Sequence, residues 1–491
     1  MMFEDSIAPR DAQWREALRK EKTAKERTSI ARVRMTELAP GIRVRSNDEV
    51  NRGLTAAQAF TEASRCLDCP DPQCVTGCPV GINIPGFIKN LERENTVEAL
   101  RVIKETSALP AVCGRVCPQE RQCESRCIYN KMKKEPVAIG YLERFAADNG
   151  ADQLTADTPA RNHHKVAVVG SGPAGLSFAG DMIKRGYDVT VFEALHQIGG
   201  VLKYGIPEFR LPNSIVDREI DSLTAMGVNF VKDCVIGKTL SYDDLLNQGF
   251  EGVFVASGAG LPRFMGIPGE NLIGVLSSNE YLTRINLMGA GRGGDTPAPT
   301  GKRIAVIGGG NTAMDSVRTA MRMGAEKAMI VYRRSEAEMP ARVEEVRHAK
   351  EEGVEFLTLC NPVEYLADEN GAVRAMRVQR MELGEPDSSG RRSPVAIEGA
   401  IDEIEVDAVI VSVGVSPNPL IPNSVDGLEI TRRGTIAVND TTLRSSLPTL
   451  FAGGDIVRGG ATVILAMGDG RQAAAAMHAQ IQEQSQTDSK S

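Results

Sequence analysis

Eight of the ten cysteines in this sequence fall between Cys66 and Cys127, and only Cys234 and Cys360 lie elsewhere. The first group runs Cys66-x2-Cys69-x4-Cys74-x3-Cys78-Pro79, and the second Cys113-x3-Cys117-Pro118-x4-Cys123-x3-Cys127. In a reducing compartment, thiols gathered this way bind metal or carry redox chemistry rather than form a disulfide framework. Structural zinc also takes four thiolates, typically from two well-separated CxxC pairs. Here four cysteines share one short segment and a proline follows both Cys78 and Cys117. That is the habit of paired clusters in which the last Cys of a run serves the other cluster. Zinc would bring no redox chemistry, so iron–sulfur is the reading. A simple count gives two 4Fe–4S clusters of four thiolates each.

Two glycine turns supply the remaining chemistry. Lys165-Val-Ala-Val-Val-Gly-Ser-Gly-Pro-Ala-Gly175 and Arg303-Ile-Ala-Val-Ile-Gly-Gly-Gly-Asn-Thr-Ala313 are one device used twice, so the chain is expected to hold two dinucleotides. In the first, Gly170 permits the tight turn and Gly172 lets the backbone approach a pyrophosphate. Gly175 lets the following helix pack closely, with its free N–H groups toward the phosphates. The next strand ends at Glu193, where a carboxylate accepts from ribose hydroxyls. In the second, Gly308, Gly310 and Ala313 take the same places. Its next strand ends in Arg333-Arg334-Ser335 with no acid. Guanidinium groups there can clamp a 2′-phosphate that a carboxylate would repel. The reading is a resident FAD at the first site and an exchangeable NADPH at the second. The Ala452-Gly-Gly-Asp455 turn and a glycine-rich helix start at Gly468-Asp-Gly470 are expected to hold the flavin ribityl and phosphate groups. Gly200, Gly454, Asp455 and Thr462 therefore join the cofactor-binding residues. Residues 253–260 and 408–415 read as strand-to-glycine segments suited to packing beside a dinucleotide.

The elements that must position these groups change in texture along the chain. Residues 1–60 read as charged helix and connector, most helical over residues 15–26. Short helical patterns over residues 84–90 and 96–103 interleave the cysteines. A polar stretch at residues 150–161 reads as a linker. From Lys165 onward, β-branched runs alternate with helices and glycine turns, the pattern of βαβ units and parallel sheets. The expected fold is α/β. A helical iron–sulfur domain over residues 1–150 precedes two Rossmann-like domains. The FAD domain is discontinuous, over residues 160–290 and 426–491, because the strand, turn and helix of residues 449–472 have no sheet of their own. The NADPH domain spans residues 291–425. A formal charge of −7 with no broad basic block argues against nucleic acid. The first residues lack an apolar signal core, and the longest apolar runs are strand-sized, so neither secretion nor a membrane span is expected. The expected location is cytoplasmic. No acid–base pair is required for hydride and electron transfer, and no catalytic residue is assigned. His163 and His164 read as exposed polar residues.

With these motifs together, the chain resembles the small (beta) subunit of NADPH-dependent glutamate synthase from about residue 63 to 475. The most telling stretches are Glu62-Ala-Ser-Arg-Cys-Leu-Asp-Cys69, Leu109-Pro-Ala-Val-Cys-Gly-Arg-Val-Cys-Pro-Gln119, and the run from Ala452 to Gly470. The same module resembles the N-terminal part of dihydropyrimidine dehydrogenases and the large subunit of bifurcating NADH-dependent ferredoxin–NADP reductases. The resemblance amends the ligand count. It implies one 4Fe–4S cluster on Cys66, Cys69, Cys74 and Cys127. The other takes Cys78, Cys117 and Cys123 with Glu143 as a non-cysteine ligand, leaving Cys113 a bystander. It also implies a large catalytic subunit as partner, which makes glutamate from glutamine and 2-oxoglutarate with the electrons delivered to it. The bifurcating reductase is the alternative, since the runs at Pro79–Pro85 and Pro136–Gly140 suit it equally. A zinc-stabilised scaffold without turnover would be colourless. Disulfide reduction is disfavoured because neither Cys234 nor Cys360 lies in a CxxC motif.

Overall fold

The structure, a computed structural model, describes residues 7–151, 159–291, 294–298 and 300–488. Most of the expected linker (residues 152–158) lies outside the described residues.

The N-terminal part is helical. The stretch expected as one helix over residues 15–26 is two, Gln13–Glu21 and Ala24–Ser29. Thr23 divides them by starting a capping box: its Oγ1 accepts from Glu26 N, and the Glu26 carboxylate accepts from Thr23 N at 2.7 Å. Helices Ile84–Glu92, Thr96–Lys104, Pro110–Val116 and Ile139–Gly150 follow and pack on one another. Gly114 lets the last two cross tightly, since a Cβ there would lie 2.6 Å from Arg144 N. That close crossing brings Cys113 and Cys117 against the face carrying Glu143.

The α/β part contains fifteen strands among the described residues. In chain order they are β1 (Lys165–Val169), β2 (Asp188–Phe192), β3 (Asn229–Val231), β4 (Gly252–Val255), β5 (Leu261–Pro262), β6 (Val275–Ser277), β7 (Arg303–Ile307) and β8 (Lys327–Tyr332). They continue with β9 (Glu355–Thr358), β10 (Cys360–Ala367), β11 (Val373–Pro386), β12 (Arg392–Glu405), β13 (Ala408–Val411), β14 (Val415–Ser416) and β15 (Leu450–Ala452). Two five-stranded parallel sheets result, ordered β15-β4-β1-β2-β3 and β6-β13-β7-β8-β9. Each glycine turn leaves the central strand of its sheet, so both dinucleotide devices sit at the carboxyl edge, where such folds bind ligands. β15 pairs with β4, which makes the first α/β unit discontinuous. Sheet membership departs from the expected boundary at residue 290. β6 pairs with β13 in the second sheet, and the chain crosses between units on the short antiparallel ribbon β5–β14. Strands β10, β11 and β12 form an antiparallel meander beside the second sheet.

The cores show which parts are packed together. A single buried cluster runs from Phe87 and Val112 of the cysteine-bearing helices to Phe178, Met467 and Ala473 of the first α/β unit. The second unit has separate cores on the two faces of its sheet. It is tied to the N-terminal segment by charge instead. Arg43, 1% exposed, donates to Glu351 at 2.5 Å and Glu352 at 3.0 Å, and Glu352 also takes Arg318 and Arg322. No helix among the described residues is long and apolar enough to cross a membrane.

Candidate functional site

At the first glycine turn, Gly170 has a φ of +103°, and a Cβ there would sit 2.6 Å from the Ala256 carbonyl. Gly308 repeats this with a φ of +142° against the Ser412 carbonyl. The segments after β4 and β13 are therefore the walls against which both turns fold. Gly175 faces the Gly170 carbonyl, and Ala313 is fully buried at the equivalent place. Gly172 and Gly310 have open space where a side chain would start, as a pyrophosphate-approaching position requires.

Around Gly172 the structure gathers the other residues expected to bind flavin. Glu193 is buried. One carboxylate oxygen accepts from Ser171 N at 2.9 Å and from the Ser171 hydroxyl, the other from Leu195 N. Gly200 packs over Gly172, and Gly454 over Ala174. Asp455 is raised above the usual carboxylate range by burial, against the Ala461 N–H that it accepts. Thr462 sits at the start of helix Val463–Asp488, where its hydroxyl accepts from Leu465 N. Sequence reasoning missed Tyr204, pushed up to about 12 by burial and by the Asp455 and Glu193 carboxylates beside it. It also misread Gly468 and Gly470. They lie inside the long helix rather than at its start, and their missing side chains let that helix pack. Gly470 meets the Ala174 carbonyl, and Gly468 meets Pro79, with a Cβ only 3.0 Å from the Pro79 carbonyl. The flavin-side helix thus rests on the residue that follows Cys78.

The second turn opens into a cleft of about 700 Å³, lined among others by Gly308, Gly310, Arg333, Arg334 and Arg391. The two expected arginines are not equivalent. Arg333 is exposed and has no acceptor among the described residues, whereas Arg334 is buried and its Nη2 donates to Asp387 at 2.5 Å.

The cysteines separate into two neighbourhoods. Burial pushes the Cys74 thiol up, and Cys66, Cys127 and Cys69 add to the effect by their proximity. Burial likewise raises Cys78 to about 12, with Glu143 and Cys117 nearby, and raises Cys123 beside Glu124, Cys78, Glu143 and Cys117. Glu143 is 5% exposed, and its Oε1 has no hydrogen-bond partner among the described residues. Burial and the neighbouring Glu219 push it up to about 8. A buried acceptor left unpaired costs stability unless something occupies it, and the thiols beside it form a donor set suited to iron. Cys113 is buried against Cys117, with its sulfur 3.4 Å from Met467 Sδ. A scaffold that the sequence reading did not anticipate holds the Cys66–Cys69 loop. Buried Asp68, at a φ of +51°, takes Arg15 and Arg19 (2.6 Å) from the first helix, and Lys89 Nζ donates to the Cys66 carbonyl at 2.7 Å. The only advance signal was the basic spacing of that helix.

Comparison with known proteins agrees with this division. Residues 43–154 match the family described as dihydropyrimidine dehydrogenase domain II, 4Fe-4S cluster, and residues 164–477 match pyridine nucleotide-disulphide oxidoreductase. The glutamate synthase [NADPH] small chain of Azospirillum brasilense is 37% identical over 442 residues, covering 88% of this chain and 91% of its own length. The NADP(+)-dependent formate dehydrogenase subunit beta of Moorella thermoacetica is 38% identical over 431 residues, covering 82% of this chain and 59% of its own. Among solved structures, Mycobacterium tuberculosis FprA in complex with NADPH shares the fold, with a TM-score of 0.56 and 20% identity over 66% of this chain and 86% of that one. The chain belongs to the pyridine nucleotide-disulphide oxidoreductase family, as an NADPH-dependent flavin oxidoreductase of the kind formed by the glutamate synthase small chains, with an iron–sulfur domain ahead of its nucleotide-binding units.

Proposed function

We propose that this chain is the electron-input subunit of a glutamate synthase, passing electrons from NADPH through FAD and two 4Fe–4S clusters to a large subunit that makes glutamate from glutamine and 2-oxoglutarate. FAD, held at the first turn, would supply the conversion of one hydride, a proton with two electrons, into two single electrons that iron–sulfur clusters carry, the proton leaving to solvent. The chain's own residues fit that task. Gly172 and the helix after it offer backbone N–H groups to the pyrophosphate, while the Gly170 N–H is held by the Phe192 carbonyl, and Glu193 stands where ribose hydroxyls would donate. Gly308, Gly310 and Arg333 hold the second dinucleotide. Cys66, Cys69, Cys74 and Cys127 hold one cluster, and Cys78, Cys117, Cys123 and Glu143 hold the other.

The observation that carries the reading is the junction between Pro79 and Gly468. The helix closing the flavin site touches the loop of the inner cysteine group, with Cys113 and Met467 packed alongside. Anaerobic purification with iron, sulfide and flavin analysis tests the proposal. The expected content is about eight iron and about eight labile sulfide per chain, the sum of two 4Fe–4S clusters, with one FAD. A colourless, zinc-bearing preparation would refute it. The partner that accompanies the chain decides the acceptor. Glutamine-dependent glutamate formation supports the proposal. A small 2Fe–2S subunit, or a formate-oxidising partner, would replace the glutamate synthase assignment.

A further inference from the structure

Strands β11 and β12 are fourteen residues each, longer than most strands in globular proteins. Their hairpin is an ordered projection rather than a loose loop. Asp387 N donates to the Arg391 carbonyl at 2.7 Å, and Gly390 N to the Asp387 carbonyl at 2.8 Å. The tip carries its charges over the coenzyme cleft. Arg391 lines that cleft together with Gly308, Gly310 and Arg333. Arg391 Nε donates to Ser389 Oγ at 2.9 Å, and its terminal nitrogens have no acceptor among the described residues. Two guanidiniums with open forks lining one cleft make it receptive to an anion, and a phosphate is the anion their donors suit.

Asp387 would be out of place beside a phosphate if its charge were free. It accepts instead from Ser389 N at 2.8 Å, the Ser389 hydroxyl and Arg334 Nη2. Its charge is engaged, and Arg334 is held by it.

We propose that the β11–β12 hairpin tip is part of the coenzyme site. Arg391 joins Arg333 in reading the 2′-phosphate, and Asp387 is a positioning residue that fixes Arg334 at the cleft wall. The proposal rests on the NADPH reading of the second site and adds a contribution from an element outside the glycine turn.

The test uses the holoprotein, with NADPH and NADH kinetics and calorimetric binding of adenosine 2′,5′-bisphosphate and of ADP as probes. Arg391→Ala should raise the KM for NADPH about tenfold or more, the loss expected for a hydrogen bond to a charged group, with the KM for NADH unchanged. It should weaken the 2′,5′-bisphosphate by a similar factor and leave ADP alone. Asp387→Asn should raise the KM for NADPH more modestly, and it should add less in an Arg334→Ala background than in the wild type, since the two changes share the Arg334 arrangement and only Asp387 also holds Ser389. An Arg391→Ala protein with unaltered NADPH and bisphosphate binding would overturn the proposal. Equal weakening of both coenzymes would also overturn it, because the tip would then be a wall rather than a phosphate reader. A wild-type protein that fails to prefer NADPH over NADH would sink the NADPH reading itself, a separate outcome.

Discussion

Glu143 concentrates the chemistry of this chain in one side chain. A carboxyl group buried with an unpaired oxygen is costly by about 1–3 kcal/mol, so the unpaired oxygen beside three thiols points to an occupant. If it is the fourth ligand of the inner cluster, Glu143→Ala should lose about half of the iron, the share of one cluster in two. Cys113→Ala should keep its iron, and iron analysis with electron paramagnetic resonance of the reduced protein separates the outcomes. Loss of iron from the Cys113 variant would restore the four-thiolate count. Little of this was legible in the sequence. Gly140-Tyr-Leu-Glu143 reads as an ordinary helix turn, and spacing favoured Cys113. Glu143 becomes distinctive only because Gly114 lets two helices cross closely. The glycines of the turns were legible, because Gly170 and Gly308 must adopt positive φ for local reasons. A second prediction belongs at this scale. Arg333→Glu with Arg334→Glu should raise the KM for NADPH far more than for NADH, measured in steady-state kinetics. The structure adds that Arg333→Glu alone should carry most of the direct effect, since Arg334 is held by Asp387.

At the scale of elements, the helix Val463–Asp488 has two duties on opposite faces, since Gly468 and Gly470 are two residues apart. It closes the flavin site against helix Pro173–Lys184 and leans on the Cys78-Pro79 loop. Gly470→Ala would drive a methyl into the Ala174 carbonyl, and overpacking of this kind costs about 1–3 kcal/mol. Its preparation should contain less FAD, as absorbance would show. Gly468→Val should retain FAD but slow electron passage from flavin to clusters, measured by rapid mixing with NADPH while following the two chromophores. Unchanged transfer would separate the flavin from the inner cysteine group. The strands and helices at the two turns lay close to their expected bounds, because apolar period and turn chemistry agree there. Gly468 and Gly470 were expected at a helix start but lie within the long helix, because a Gly-x-Gly signal does not say whether it opens a helix or lets one pack.

At the scale of the molecule, the second α/β unit is held to the N-terminal segment by buried ions rather than by a shared apolar core. Burial opposes ionisation of Glu352, yet Arg318 and Arg322 outweigh it and hold the carboxyl at about 2. Glu345 is held at about 2 against the same burial by Arg210 and Arg318. Both lie below the ordinary carboxylate value, so their contribution is present above about pH 4.5 and fades as pH falls toward 2. Asp315 runs the other way. Burial raises it to about 6 despite Arg210, so its contribution is lost as pH climbs through that value. Thermal midpoints should therefore drop between about pH 4.5 and 2, and Glu352→Gln should flatten that limb. Glu352→Ala should cost about 3–5 kcal/mol at neutral pH by leaving buried guanidiniums uncompensated. A pH profile identical to wild type in the glutamine variant would remove the network from the acid response.

The pairing of β15 with β4 also sets a timetable for synthesis. Strand β4 emerges from the ribosome about 200 residues before its neighbour, an interval on the order of 10–40 s at ordinary translation rates. Through that time one edge of the first sheet and one face of helix Pro173–Lys184 stay bare. The nascent chain therefore presents a sticky half-sheet while its second nucleotide unit, complete by β13, is already able to fold. On the proposed assignment, flavin is expected to bind only after β15 and the helix Val463–Asp488 have left the exit tunnel. A ribosome-stalled chain ending before Leu450 should bind NADPH and refuse FAD.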